Sequence, residues 1–297
     1  SIGDYAFSNL VELEEVILPE GINNLGKNAF SNCEKLIKVT LPDSIEKVGF
    51  QAFSNCIQLS EINIPLSWKE CPTSSTNGEI SSDYCGHIFE GCKNLKEITI
   101  PEGIEEIPSF GFCKSDYLIT VNLPTTLKEI RNHTFYDCEN LEKIDVPEGV
   151  SYIGKAAFCY CGSLKEVSLS EGITELALFS FYKCSSLQKI KLPDSIEKIG
   201  YKSFAECTQL SELNIPLNWK ECPTASTSGD ISADYCGHIF EDCKSLKEIT
   251  VPEGIEKIPS YGFCKSNYLV TVNIPQTLKT IPNHVFYDCG SLKNINI

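Results

Sequence analysis

Phenylalanine recurs at a fixed interval along this chain, and the interval limits what the chain can fold into. Phe7, Phe30 and Phe53 are 23 residues apart, and Phe89 follows after 36. Phe112, Phe135, Phe158, Phe181 and Phe204 return to steps of 23. Phe240 follows after 36, and Phe263 and Phe286 end the series at 23. Twelve of the 15 Phe residues stand in this column, so it is a structural period rather than a compositional accident. Six positions after each Phe is Leu, from Leu13 and Leu36 to Leu292. Nine and eleven positions after it are aliphatic, as in Val39 and Leu41 or Ile98 and Ile100. Twelve after it is Pro, from Pro19 to Pro275, with Ser170 the one exception.

A 23-residue unit cannot bury its apolar side chains alone, so neighbouring units must stack into a solenoid. The Leu-x-x-Ile-x-Leu-Pro stretch alternates as a strand does. Pro removes a ladder donor and ends that strand. Turn pairs such as Glu20-Gly21 and Asp43-Ser44 follow. A second short extended piece, Ile45 to Val48 in its repeat, runs back, and the Ala-Phe-x-x-Cys segment reads as a tight helical turn.

A larger period encloses the small one. Each step of 36 contains a 13-residue insertion, and a shift of 151 residues superposes Trp68-Lys69-Glu70-Cys71-Pro72 on Trp219-Lys220-Glu221-Cys222-Pro223. The expected organisation is one continuous solenoid of two blocks. Residues 1–151 carry the insertion 73–85, and residues 152–297 carry the insertion 224–236. The chain has no Met and opens without an apolar leader, which reads as a processed form or an excised fragment.

The pattern Leu36-x-x-Val39-x-Leu41-Pro42-x-x-Ile45-x-x-Val48-Gly49-x-x-Ala52-Phe53-x-x-Cys56 resembles the BspA-like leucine-rich repeat. The resemblance runs the length of the chain. It implies an α/β leucine-rich-repeat solenoid: right-handed, 12 repeats of 23 residues, a parallel β-sheet on the concave face, and short strands and helical turns on the convex side. It also implies a surface or secreted protein, since members of that family are typically displayed by mucosal bacteria and some parasitic protists. Several of them adhere to host extracellular matrix. The insertions and the high Cys content depart from the family pattern.

The 16 Cys fall into three groups. Nine stand three residues after the column Phe: Cys33, Cys56, Cys92, Cys138, Cys161, Cys184, Cys207, Cys243 and Cys289. They read as a buried column of inert thiols. Cys113, Cys159 and Cys264 stand one residue after the Phe and suggest no chemistry. Cys71 with Cys85, and Cys222 with Cys236, bracket the insertions. A bridge in each pair would staple the neck of the loop, close 15 residues and contribute on the order of 3 kcal/mol. It would also imply an oxidising compartment. The alternative is four more reduced thiols.

Charge narrows the partners. Forty acidic against 25 basic side chains give a net charge of −15, which argues against nucleic acid and against anionic membranes. Apolar runs are only a few residues long, so direct membrane insertion is not expected. Outward strand positions read Lys38/Thr40, Glu61/Asn63, Glu97/Thr99 and Glu212/Asn214, with no aromatics. That face looks solvated rather than adhesive. The insertions are rich in Ser, Thr, Asn and Gly beside a Tyr, a composition suited to adaptable contacts. Tyr84, His87, Tyr235 and His238 are therefore the candidate partner-binding residues, against the alternative of a loop merely duplicated with its block. Trp68 and Trp219 read as core residues at the loop base.

All four His stand two residues before a column Phe and are expected to be partly exposed turn residues. Within each block they lie about 10 Å apart, too far to share a metal directly. Asn132-His133-Thr134 makes Asn132 a candidate glycosylation site, and its copy Asn283-His284-Val285 has lost the sequon. No P-loop, GxGxxG or HExxH motif is present, so neither catalysis nor a cofactor or metal is expected.

The first functional expectation is a secreted or surface-displayed adhesion protein whose two loops engage a protein or glycan ligand, such as host extracellular matrix. A second is structural: both ends stop mid-pattern, so Leu292-x-x-Ile295-x-Ile297 could stack on Ser1-Ile2-Gly3 of another copy and build fibres. A third is an intracellular interaction scaffold with every thiol reduced.

Overall fold

The computed structural model describes residues 1–72, 75, 83–223 and 237–297. The chain divides into two compact units, Ser1–Ile144 and Asp145–Ile297. Each is a parallel β-solenoid of leucine-rich-repeat type.

In the first unit the Leu-x-x-Ile-x-Leu segments form a front ladder. Glu15–Ile17 pairs with Lys38–Thr40 in parallel, and that strand pairs with Glu61–Ile62. Further along, Glu97–Thr99 pairs with Thr120–Asn122. The register is one repeat per step, Val16↔Val39 and Ile98↔Val121. The middle residue of each such strand points into the core, so a slip of one position would expose every aliphatic side chain. A second ladder of two-residue strands runs behind it: Asn24–Leu25 on Lys47–Val48, and Glu106–Ile107 on Glu129–Ile130. The second unit repeats the scheme. Lys189–Ile190 pairs with Glu212–Leu213, Glu248–Thr250 with Thr271–Asn273, and Tyr152–Ile153 with Glu175–Leu176 and then Lys198–Ile199.

The Phe column is a stack of rings. In the first unit, ring centroids lie 5.1 Å (Phe7–Phe30), 5.4 Å (Phe30–Phe53), 6.1 Å (Phe53–Phe89), 6.0 Å (Phe89–Phe112) and 5.4 Å (Phe112–Phe135) apart. The second unit matches it, from 5.2 Å for Phe158–Phe181 to 6.1 Å for Phe204–Phe240 and Phe240–Phe263. The widest steps flank the insertions in both copies.

Two expectations are corrected. The Ala-Phe-x-x-Cys segments are not helical; no helix occurs among the described residues. In every repeat the residues two before and two after the column Phe have positive φ, as in Asn28 (54°) and Asn32 (57°) or Phe179 (61°) and Lys183 (61°). A left-handed residue at each end prevents a continuous helical turn. Main-chain N–H groups instead alternate between two kinds of acceptor. Those of Asn28, Phe30 and Asn32 donate to Phe50, Ala52 and Ser54 in the next coil, while those of Ala29 and Ser31 donate three residues back. The count is corrected as well. The last repeat ends on its strand Asn294–Asn296, so the twelve sequence repeats amount to about eleven turns.

Candidate functional site

The residues flanking each insertion form a base made largely of buried side chains. Trp68 is 4% exposed, meets Phe112 edge-on at 5.6 Å, and donates from Nε1 to the Glu70 carbonyl at 3.1 Å. Trp219 does the same against Phe263 at 5.6 Å and donates to the Glu221 carbonyl at 3.0 Å. Both are core residues, as their slot in the repeat predicts. A Cβ on Gly111 would lie 3.1 Å from Trp68 Cη2, and one on Gly262 would lie 2.9 Å from Trp219 Cη2. The ring therefore takes the space that Ala29, Ala52 and Ala157 fill in other repeats.

His87 and His238 lie in the turn where each insertion rejoins the repeat. The sequence predicts partial exposure; both are buried, at 7% and 3%. Each occupies the left-handed turn position that His133 and His284 share, so it is packing by neighbouring side chains that buries these two rings. His87 Nδ1 is 3.2 Å from Glu90 Oε2, to which Gln51 Nε2 donates at 2.8 Å. His238 Nδ1 is 3.3 Å from Glu241 Oε2, and Lys202 Nζ lies 2.7 Å from the same oxygen. The hydrogen bond from His238, with that of Lys202, holds the Glu241 carboxyl down at about 2. Glu90 is lowered by its bond to His87, with help from Gln51. Both imidazoles also lean on aromatic rings, Phe50 at 5.1 Å and Tyr201 at 5.0 Å. The geometry makes them anchors of the loop base.

Tyr84 is 39% exposed. Tyr235 and Cys236 lie outside the described residues, as does the loop between Pro72 and Asp83 apart from Ser75. Cys71 and Cys85 line one small pocket of about 330 Å³ together with Phe110 and Arg131. Their sulfurs are not joined. Burial and the nearby Cys85 and Cys113 push the Cys71 thiol up. Cys222 is half-buried.

Cys113 is a member of this site that the sequence reading passed over. It packs with Cys85 and Phe110, and Tyr136 covers the three. Its copy Cys264 packs on Tyr261. The signal was present: each falls one residue after the column Phe in the second Phe repeat past its insertion.

The remaining His behave differently. His133 is half-buried and stacks on Phe110 at 4.7 Å, and His284 is exposed and stacks on Tyr261 at 4.9 Å. No group of three or more metal-ligating side chains occurs among the described residues. Asn132 is exposed, while Thr134 of its sequon is buried and donates to the Arg131 carbonyl at 2.8 Å. The second unit also carries an aromatic cluster on its turns, absent from the sequence reading. Phe179 meets Tyr182 at 5.7 Å and Tyr201 at 5.5 Å, and Lys183 lies over Tyr160 at 4.9 Å.

The model of the BspA type leucine rich repeat region matches residues 1–81, 74–185, 128–228 and 235–297, with six copies. Among solved structures, the chain is similar to a leucine-rich cell surface protein of Faecalibacterium prausnitzii. Identity is 26% over 99% of this chain and 82% of that one, with a TM-score of 0.48. It is also similar to a leucine-rich repeat protein of Bacteroides ovatus, at 23% identity over 96% and 81% with a TM-score of 0.59. A third is the leucine-rich repeat protein of T. pallidum, at 27% identity over 62% and 81% with a TM-score of 0.47. No curated protein matches the chain.

Proposed function

Because this chain belongs to the BspA-type leucine-rich-repeat family, we propose that it is a non-catalytic binding protein of a cell surface or the extracellular space, acting in adhesion through its two insertion loops. One observation carries the assignment of the site. The chain is anchored on both sides of each insertion in the same way, by a buried Trp before it and after it by a buried His bonded to a half-buried Glu, so each loop has a fixed base. Tyr84 and Tyr235 are the contact residues of this reading, and His87 and His238 hold the base. The ligand is a protein or glycan, with host extracellular matrix the leading class. Two like loops on one chain would engage a repetitive ligand with an avidity neither has alone.

Cys71–Cys85 and Cys222–Cys236 disulfides belong to the same proposal. Shared lining of one pocket by Cys71 and Cys85 supports the first pair, and an oxidising compartment would form both. Among the described residues no helix is long and apolar enough to cross a membrane.

The test is binding of the protein to immobilised matrix proteins, mucins and glycans at physiological salt, beside a version lacking Thr73–Tyr84 and Thr224–Tyr235. Saturable binding that disappears with the loops is the expected result. Equal binding by both versions would move the site off the loops. Full alkylation of all four flanking thiols before reduction would remove the disulfides.

A further inference from the structure

The front ladder of each unit is split at its insertion. In the first unit no hydrogen bond joins Glu61–Ile62 to Glu97–Thr99, and in the second none joins Glu212–Leu213 to Glu248–Thr250, among the described residues. These strands approach each other less closely than Lys38–Thr40 and Glu61–Ile62 do, or Glu248–Thr250 and Thr271–Asn273. Glu166–Ser168 and Lys189–Ile190 likewise belong to different ladders, but they remain adjacent.

The turn side of the same coils stays closed. The N–H groups of Gln51, Phe53 and Asn55 donate to the carbonyls of Gly86, Ile88 and Glu90 at 3.1, 3.0 and 2.7 Å. Those of Lys202, Phe204 and Glu206 donate to Gly237, Ile239 and Glu241 at 3.2, 3.0 and 2.8 Å. The two coils are thus bonded behind and open in front.

On the strand before each split, an Asn side chain replaces the main chain in pairing to the preceding coil. Leu41 N–H donates to Asn63 Oδ1 at 2.7 Å, and Asn63 Nδ2 donates back to the Leu41 carbonyl at 2.8 Å. The side-chain amide stands where the peptide of residue 63 would pair. Asn214 does the same to Leu192, at 2.8 and 2.7 Å. Asn122, in the same column, pairs through its own main chain, accepting from Ile100 N–H at 3.0 Å. The substitution of side chain for main chain thus occurs on the strand that precedes each split.

A groove opens over each split, of about 530 Å³ in the first unit and about 700 Å³ in the second. Lys38, Glu61, Asn63, Glu97 and Thr99 line the first, and Lys189, Lys191, Glu212, Asn214 and Glu248 are among those lining the second. Unpaired strand edges are a standing invitation to another strand. Here they occur twice, at equivalent places, in a fold that pairs most of its other front strands.

We propose that each split is an acceptor site for an extended peptide segment of a protein partner, recognised mainly through its main chain. The peptide takes hydrogen bonds from the free edges of Glu61–Ile62 and Glu97–Thr99, or of their copies, as in β-strand addition. The best-fitting segment is shaped like the repeat's own strand, because that is the neighbour each edge lacks. Lys191 replaces Thr40 in the second groove, so the two sites differ in preference: the first favours a more basic segment. This surface is distinct from the loops, and a failed ligand screen with the loops would leave it standing.

The probe is an acetylated, fluorescently labelled peptide Ser-Ser-Leu-Gln-Lys-Ile-Lys-Leu-Pro, the sequence of residues 185–193. It is titrated into the whole protein beside the same peptide N-methylated at its two Lys. The expected result is saturable binding of the parent, at least tenfold weaker binding of the methylated peptide, and slowed amide exchange at residues 61–64 and 97–99 or 212–215 and 248–250. Equal binding of the two peptides, protection confined to other residues, or no binding of the parent at millimolar concentration would each overturn the proposal.

Discussion

The Sγ of Cys207 donates a hydrogen bond to the carbonyl oxygen of Phe181, one coil back, at 3.1 Å. The same bond recurs from Cys56 to Phe30, Cys92 to Phe53, Cys138 to Phe112 and Cys243 to Phe204. Each ladder Cys thus ties its coil to the preceding Phe, and burial pushes the Cys207 thiol up, away from reactivity.

The two repeats that carry Ser in this slot test the role of sulfur. Ser115 and Ser266 are buried, and their hydroxyls have no hydrogen-bond partner. Restoring the thiol with Ser115→Cys should stabilise the protein by about 1 kcal/mol, because a buried polar group without a partner is removed. Cys207→Ala should destabilise it by roughly 1–3 kcal/mol. Urea denaturation reads both. A Ser115→Cys variant no more stable than the parent would count against the pairing.

Depth in the Phe stack should set the cost of truncation. Phe204 is fully buried between two rings, whereas Phe7 is 40% exposed. Phe204→Ala should cost roughly 3–5 kcal/mol. Phe7→Ala should cost clearly less, because less surface is lost from water on folding. Equal shifts in the melting curves would contradict this ordering.

Gly262 has no room for a methyl group under Trp219. Gly262→Ala should therefore cost about 1–3 kcal/mol through overpacking. Most of that loss should be recovered in the double variant Gly262→Ala, Trp219→Leu relative to Trp219→Leu alone. A double-mutant cycle with no coupling would show that the ring does not press on this position.

Burial raises the Asp116 carboxyl to about 6, and the nearby charges of Asp137, Glu90 and Glu139 add to it. Its folded value then lies above its unfolded value of about 4. The native state holds more proton than the unfolded state between those limits, so stability falls as pH rises through that window. The second block carries Asn267 at the equivalent place. Asp116→Asn should stabilise the protein by about 1 kcal/mol at pH 7.5, after allowance for solvent screening, and should change little below pH 4. Melting curves at the two pH values separate this from a pH-independent packing effect.

Opposite behaviour is expected of Glu241. Its carboxyl, held at about 2 by His238 and Lys202, stabilises the fold above its ordinary titration range near 4.5. That contribution is lost as pH falls from there through 2. Glu241→Gln should flatten the acid limb of the stability profile, and an unchanged limb would argue that the bond to His238 carries no linkage.

Much of the fold was legible because stacking imposes one residue type per slot. Phe30, Leu36, Val39 and Ile45 are buried where their columns predict. The backbone of the turns was harder to read. Lys183, Glu206 and Phe179 adopt the left-handed conformation although their side chains do not favour it, because the bonds of Phe179 and Lys183 N–H to the next coil outweigh the local cost. Asn9, Asn32, Asn55, Gly91, Asp137, Asp242 and Asp288 at the position two after the Phe were a usable sign of that turn. The loop-base His were misplaced for a related reason: a polar residue in a turn reads as exposed, and only packing against Phe50 and Tyr201 draws them in.

By itself the amino-acid sequence determined the period, the strands, the Phe stack, the thiol column and the place of both insertions. Each follows from a residue type that a stacked coil must have at a given slot. Tertiary structure alone decided that the front ladder opens at the insertions. Asn63 and Asn122 share a column and differ in what they pair with, and no local signal distinguishes them. The difference lies in the next coil: the 36-residue step keeps the turn side bonded and lets the front strands part, whereas the 23-residue step from Glu97–Thr99 to Thr120–Asn122 brings the front strands into register.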